Sequence, residues 1–206
     1  MAKERRHNRT MAKSRKRAFR DPKERFLIFC EGQFTEVEYF KAFKLVTADI
    51  KAKNINEGDA WAFVRNAIRQ KDLYLGYDQY WLVFDKDNTP NENYNKAIRD
   101  GKKIGFQIAY SNRAFEYWYL LHFTKTKNKM NSSSLDNRLT QYLGFRYRHN
   151  QEVSKRMFDI LLPKQEKAIK NAKAIYNSFK PHSNTALEES STTVFKLVEE
   201  LNKYIK

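Results

Sequence analysis

Glu31-Gly32 follows the apolar run Phe26 to Cys30, Glu36 stands five residues later, and Asp85-Lys86-Asp87 follows the run Tyr80 to Phe84. Each acidic motif therefore falls where a buried strand would end. Clustered carboxylates in a chain of net charge +16 need a reason to exist, because a strongly basic protein has no general use for packed acid. Binding Mg²⁺ or Mn²⁺ against a phosphate backbone is such a reason. These ions are held by carboxylates, waters and substrate phosphate at about 2.1 Å, which makes Glu31, Glu36, Asp85 and Asp87 candidate ligands. In an extended segment residues i and i+2 face the same way, so Asp85 and Asp87 can share a site while Lys86 points away. Three or four acids can hold one ion or two. A pair would activate water on one side of a phosphodiester and stabilise the leaving oxygen on the other.

Each acid also has a plainer reading. Thr35 and Glu38 have capping-box spacing, so Glu38 is expected to serve the helix start rather than the site. Glu36 lies in the first helical turn, where negative charge suits the macrodipole with or without a metal. A lone Asp-x-Asp is weak, since aspartate is common where strands turn into loops; two acidic motifs at strand ends carry more weight. Ser111, Asn112 and Glu116 follow a further strand and fall near the same sheet edge, Glu116 as a metal or water-orienting group. Phe115, Trp118, Tyr119 and His122 equally suit a packing helix, with His122 a satisfied, partly buried histidine. His7, His149 and His182 are scattered and show no zinc spacing.

These residues need elements to position them. Phe26 to Cys30 and Tyr80 to Phe84 are short continuous apolar runs, suited to strands buried on both faces of a parallel sheet. A weaker strand is expected over Ala48 to Ile55, and another over Ile104 to Tyr110. Helices are expected from Thr35, from the Asp59 cap to Lys71, over Asn91 to Gly101 with the glycine ending it, and over Ala114 to Phe123. Strand and helix alternating at these spacings indicate βαβ units. In such sheets ligands sit outside the carboxyl ends of the strands, where the acids lie. Neighbouring strands about 4.8 Å apart would bring Glu31 and the aspartates to one cation. Beyond Phe123 a polar stretch leads to helical segments near Ser134 to Leu143, Glu152 to Leu161, Lys164 to Lys180 and Thr192 to Ile205.

The 206 residues, with 41% hydrophobic and 15% aromatic content, suit one folded domain with a full core rather than disorder. The expected division is a basic flexible arm over 1–24, an α/β core over 25–123 and a mainly helical basic part over 124–206. Charge is uneven: residues 1 to 25 carry 11 Lys/Arg against 3 acids, the next 98 carry 13 against 13, and the last 83 carry 16 against 8. Positive segments flanking a neutral body would attract a polyanion and present it to a metal centre. Arg15, Lys16 and Arg17 in the arm, Arg113, and Arg146, Arg148, Lys155, Arg156, Lys167 and Lys170 are the candidate nucleic-acid contacts. Tyr142, Phe145 and Tyr147 interleave with them as a base-stacking surface would require. Solvated lysine faces and aromatics at core spacing are the plainer alternatives. No stretch approaches the roughly 20 apolar residues of a membrane span and no apolar signal segment follows the basic start, so the cytoplasm is the expected location. The single Cys30 reads as a small core residue.

The stretches Phe26 to Phe40, Asp85-Lys86-Asp87 and Ser111-Asn112-Arg113-Ala114-Phe115-Glu116-Tyr117-Trp118 together resemble the RloB family, bacterial proteins with a TOPRIM-like fold found with phage-defence and restriction loci. The resemblance covers most of the chain after the arm. It implies that Glu31 is the acid after the first strand and that Asp85 and Asp87 are the metal-binding pair. Glu36 matches a second acid similar to that of overcoming-lysogenization-defect-type nucleases. The departure is Arg113, where the pattern has proline. The resemblance further implies a defence role beside an ABC-type ATPase partner. The expected activity is that of a metal-dependent nuclease acting on RNA or DNA, with Glu31, Glu36, Asp85, Asp87 and Glu116 catalytic, no membrane association, and a homo-oligomer left open. A non-catalytic binding or scaffold protein of the same fold is the alternative from another class. A primase-type nucleotidyl transferase comes third, and a topoisomerase would need a tyrosine-bearing domain for which the chain lacks room.

Overall fold

The computed structural model describes residues 24–55 and 58–205, so the expected arm, with Arg15, Lys16 and Arg17, lies outside the described residues except for Glu24. Strands β1 (Glu24–Cys30), β2 (Ala48–Asn54), β3 (Gln79–Asp85), β4 (Gln107–Asn112) and β5 (Ser191–Thr192) form one sheet in the order β2-β1-β3-β4-β5. The first four strands pair in parallel, while β5 runs antiparallel along the edge of β4. The general shape is that of a TOPRIM-like α/β sheet.

Alternation along the strands divides the apolar side chains between two faces, as the two-residue period requires. Phe26, Ile28, Cys30, Trp81, Val83 and Ala109 face one layer, and Leu27, Phe29, Leu82, Phe84, Ile108 and Tyr110 the other. The second layer is supplied by α2 (Ala60–Lys71) and α3 (Asn91–Lys103) through Phe63, Val64, Tyr94 and Ala97. The first is supplied by α1 (Thr35–Lys41) and α4 (Glu116–Leu121), then by α5 (Ser132–Leu143), α6 (Gln151–Leu161), α7 (Gln165–Asn177) and α8 (Val194–Asn202). Leu139, Phe158, Ile175 and Val198 thus share a core with β1 and β3, and the C-terminal part packs on the same sheet. Among the described residues no helix is long and apolar enough to cross a membrane.

Most expected elements form, with local differences that have physical causes. Asp59 caps α2 as expected, accepting from the Ala62 amide at 2.8 Å. The Thr35–Glu38 capping box does not form. Phe34 takes the cap position without a side-chain bond, Thr35 is already helical and buried, and Glu38 turns out toward Lys41 and Gln151. Gly101 does not end α3 but lies inside it. A Cβ there would meet Ile108 Cδ1 at 2.9 Å and Leu82 Cδ1 at 3.0 Å, so glycine lets the helix approach the sheet closely. Gly105, at φ +87°, makes the turn into β4 instead. The segment expected as helix from Thr192 begins with β5, whose Ser191 and Thr192 pair with Asn112 and Ser111.

Candidate metal centre at the carboxyl edge of the sheet

The chain leaves β1 through α1 toward β2 and returns through α2, on the opposite face, to β3 on the other side of β1. The carboxyl ends of β1 and β3 therefore flank the point where strand order reverses, the crevice in which α/β sheets hold ligands. Because β1 and β3 are hydrogen-bonded neighbours, with Cys30 opposite Val83, Glu31 and Asp85 emerge side by side.

Glu31 is tied down at both levels: its amide donates to the Val83 carbonyl at 2.9 Å, and its Oε2 accepts from the Asp85 amide at 3.0 Å. Asp85 directs Oδ2 at the Phe115 amide, 2.9 Å away, while Oδ1 is buried without a hydrogen-bond partner. Glu36, on the first turn of α1, is only 3% exposed. Its carboxylate lies over Gly32, where a Cβ would stand 1.9 Å from Oε2, so no other residue fits at position 32 without displacing Glu36. Strand β3 ends at Asp85, and Asp87 adopts φ 35°, so the pair is not held by simple extended alternation as expected. The Asp87 amide nonetheless bonds the Arg113 carbonyl at 3.0 Å, extending the β3–β4 pairing one step past the strands. Glu36, Asp85, Asp87 and Glu116 line one cleft of about 310 Å³, and Glu31 and Asp87 line the hollow beside it.

Electrostatics separates these acids into two kinds. Burial, opposed in part by the Asp85 amide, pushes Glu31 up to about 7, with Asp87 and Asp59 adding repulsion. Burial, and then the charges of Glu116 and Glu31, push Glu36 up to about 8. Asp85 is driven well above the usual carboxylate range by burial and by Glu36, Asp87, Glu116 and Glu31; Asp87 is raised by burial and Glu116 against the pull of Arg113 and His149. Glu116 goes the other way. Burial opposes its charge, but His149 and Tyr147 outweigh it and hold the carboxylate below its ordinary value. Tyr147 donates to Glu116 Oε1 at 2.7 Å, and His149 Nδ1 lies 3.1 Å from the same oxygen. The other ring nitrogen of His149 faces both Asp136 oxygens at 3.0 Å. Clamped between two carboxylates, first of all by its bond to Glu116, the imidazole is pushed up to about 9.

Residues 26–201 match the family described as RloB-like protein. The chain belongs to the RloB-like family. No curated protein and no solved structure matches it.

In this RloB-like fold Glu31 and Asp85 leave neighbouring strands, Glu36, Asp85, Asp87 and Glu116 line one cleft, and Glu31 lines the hollow that shares Asp87. His149 was not anticipated, nor the part played by Tyr147. Tyr147 is buried against Glu116 instead of offering a stacking face, while Phe145 lies beneath Arg156 and Tyr142 stacks on Phe123. The alternation Phe145-Arg146-Tyr147-Arg148-His149 was the available signal, since in an extended stretch it sends Tyr147 and His149 to one side. Ser111 and Asn112 are structural: Ser111 meets Thr192, and Asn112 donates to the Thr185 and Ala186 carbonyls. His122 packs as expected but is fully rather than partly buried, and it is only half satisfied: Nδ1 meets the Trp118 carbonyl at 3.0 Å, while Nε2 is buried without a hydrogen-bond partner.

The candidate nucleic-acid contacts fall in two places. Arg113 lines the hollow that adjoins the cleft across Asp87, its Nη2 donating to the Asp87 carbonyl and Asn88 Oδ1, each at 3.3 Å. Arg146 and Arg148, both exposed, flank Tyr147, and Lys155 and Arg156 are exposed on α6. Lys167 and Lys170 lie on the outer side of α7. Lys167 reaches the Phe123 carbonyl, past the end of α4 opposite Glu116, so this lysine face is not gathered at the cleft.

Proposed function

We propose that this RloB-like protein is a metal-dependent nuclease, hydrolysing phosphodiester bonds of RNA or DNA at the cleft between β1, β3 and α4. The observation that carries this reading is Asp85: a buried carboxylate, raised by its acidic neighbours, with one oxygen lacking any partner. A cation would give such an oxygen a partner. The donor set is all carboxylate oxygen, the chemistry that suits Mg²⁺ or Mn²⁺, so Glu31, Glu36, Asp85 and Asp87 are the residues that would hold it. Bound there, such an ion would supply an activated water and charge stabilisation for the leaving oxygen. Glu116, kept ionised by Tyr147 and His149, accepts a hydrogen bond from the attacking water and orients it. Arg113 and the exposed arginines around Tyr147 draw the phosphate backbone toward the acids.

The second reading, a nucleic-acid-binding protein that does not cut, draws support from one observation. Among the described residues no group of three or more His, Cys, Asp or Glu side chains stands in an arrangement that could already hold a metal ion. Glu31 is bonded to the Asp85 amide and Glu116 to His149, and under the nuclease reading the acids must turn toward the ion as it binds. A defence role beside an ATPase rests on the family resemblance alone.

A panel of single- and double-stranded DNA, tRNA and total RNA incubated in Mg²⁺ and in Mn²⁺ separates the two readings. Cutting by the wild type that disappears in Asp85→Asn/Asp87→Asn, with polyanion binding kept or strengthened, is the expected result. Cutting that survives the double substitution overturns the site.

A further inference from the structure

Asp87 is a wall shared by the acid cleft and a second hollow of about 340 Å³ that the acids do not fill. Lys86, Arg113, Lys129, Asn131, Met130 and Leu187 line it. Lys86 follows β3 and was expected to point away from the site. It lines this neighbouring hollow, and its ammonium donates to the Thr89 carbonyl. Arg113 follows β4 and bonds the Asp87 carbonyl and Asn88 amide oxygen. Both cationic heads are oriented by neutral oxygens, while the carboxylates of Asp87 and Glu189, which share the lining, offset part of their charge. Lys129 and Glu189, also in the lining, pair with each other at 3.1 Å.

The remaining lining differs in kind. Met130 is partly buried and Leu187 is 63% exposed, an apolar residue of the lining left facing solvent. Asn131 spends its Oδ1 on the Ser134 amide as the cap of α5, which leaves its amide hydrogens as donors. A hollow of this size lined by the cationic Lys86 and Arg113 and by the apolar Met130 and Leu187 matches one nucleotide unit, with a charged phosphate and an apolar base to accommodate. Base stacking or packing of this kind tolerates any sequence.

We propose that this hollow is the subsite for the unpaired nucleotide next to the scissile bond, Lys86 and Arg113 holding its phosphate while Met130 and Leu187 cover its base. The inference rests on the nuclease reading of the adjoining cleft, because it is the shared Asp87 wall that makes the two hollows successive stations on one strand.

The test is fluorescence anisotropy with a labelled single-stranded oligonucleotide in EDTA, so that binding is read without cutting. Lys86→Gln/Arg113→Gln should weaken binding about tenfold or more and lower the salt slope by about one to two. Leu187→Asp, at an exposed position that tolerates polarity, should also weaken it. Lys102→Gln/Lys103→Gln, which removes the same charge from the far end of α3, should change it by less than about twofold. Wild-type affinity in the Lys86/Arg113 variant, or an equal loss in the Lys102/Lys103 variant, overturns the subsite. Unchanged binding by Leu187→Asp overturns the placement of the base. A protein that never cuts but loses binding as expected would sink the nuclease reading, and with it the place beside a scissile bond, and keep only a nucleotide-binding hollow; one that cuts while the Lys86/Arg113 variant binds normally would keep the nuclease and sink the subsite.

Discussion

Asp85 ends β3 with one oxygen on the Phe115 amide and the other on nothing, and most of the chemistry assigned to the cleft follows from that imbalance. Burial and neighbouring acids raise Glu31 and Glu36 as well, to about 7 and about 8 against an ordinary value of 4.5. A carboxylic acid whose folded value is raised stabilises the fold fully below the unfolded value and loses that contribution as pH rises through the folded one. Metal-free protein should therefore melt at falling temperature from pH 5 to pH 8. His149 acts in the same sense between 6.5 and about 9. Glu116 and Asp59, held below their ordinary values of 4.5 and 3.8, oppose it only in more acid solution. Mg²⁺ at pH 8 should restore the lost stability by ligating the ionised acids. Asp85→Asn should flatten the pH dependence and abolish the Mg²⁺ response, both read by thermal melting. A metal response that persists in Asp85→Asn contradicts the assignment. Gly32→Ala tests the same pocket from the backbone side: with a Cβ 1.9 Å from Glu36 Oε2, it should displace that carboxylate and cut nuclease activity about tenfold or more. Melting should change little, since the atom displaced is the end of a side chain.

The elements show which parts of this architecture were open to sequence reading. Phe26 to Cys30 and Tyr80 to Phe84 are unbroken apolar runs, and their burial on both faces made β1 and β3, and so the positions of Glu31 and Asp85, readable. Strand β5 was not, because Ser191 and Thr192 carry no apolar pattern and pair through hydroxyls and backbone with Ser111 and Asn112. The His149–Glu116–Tyr147 contact joins residues 31 and 33 apart along the chain, a separation that no local periodicity encodes. The Thr35–Glu38 spacing misled for the opposite reason: packing against Tyr119, whose hydroxyl bonds the Thr35 carbonyl at 3.2 Å, overrode a local preference. Gly101 looked like a helix stop and proved to be a point of close helix–sheet approach. Gly101→Ala should consequently destabilise the protein by about 1–3 kcal/mol through overpacking against Leu82 and Ile108, measured by chemical denaturation. A stabilising effect, as expected for alanine in an uncrowded helix, would contradict the packing of α3.

At the scale of the whole molecule a neutral body carries the acids while both flanks are positive, the first 25 residues with 11 Lys/Arg against 3 acids. Removing residues 1–23 should reduce both the affinity for single-stranded nucleic acid and the steepness of its salt dependence by several units, each lost phosphate contact being worth about 0.7 in slope. An unchanged slope would move the polyanion contacts entirely to Arg113 and the C-terminal part. The account as a whole depends on whether the acids between β1 and β3 take up a metal at all. The most direct measurement is calorimetric titration of Mn²⁺ into the wild-type protein and into Asp85→Asn/Asp87→Asn at pH 8. Saturable binding by the wild type that is lost in the double variant is the result expected; no binding by the wild type, or equal binding by both proteins, would contradict the metal centre and the nuclease built on it.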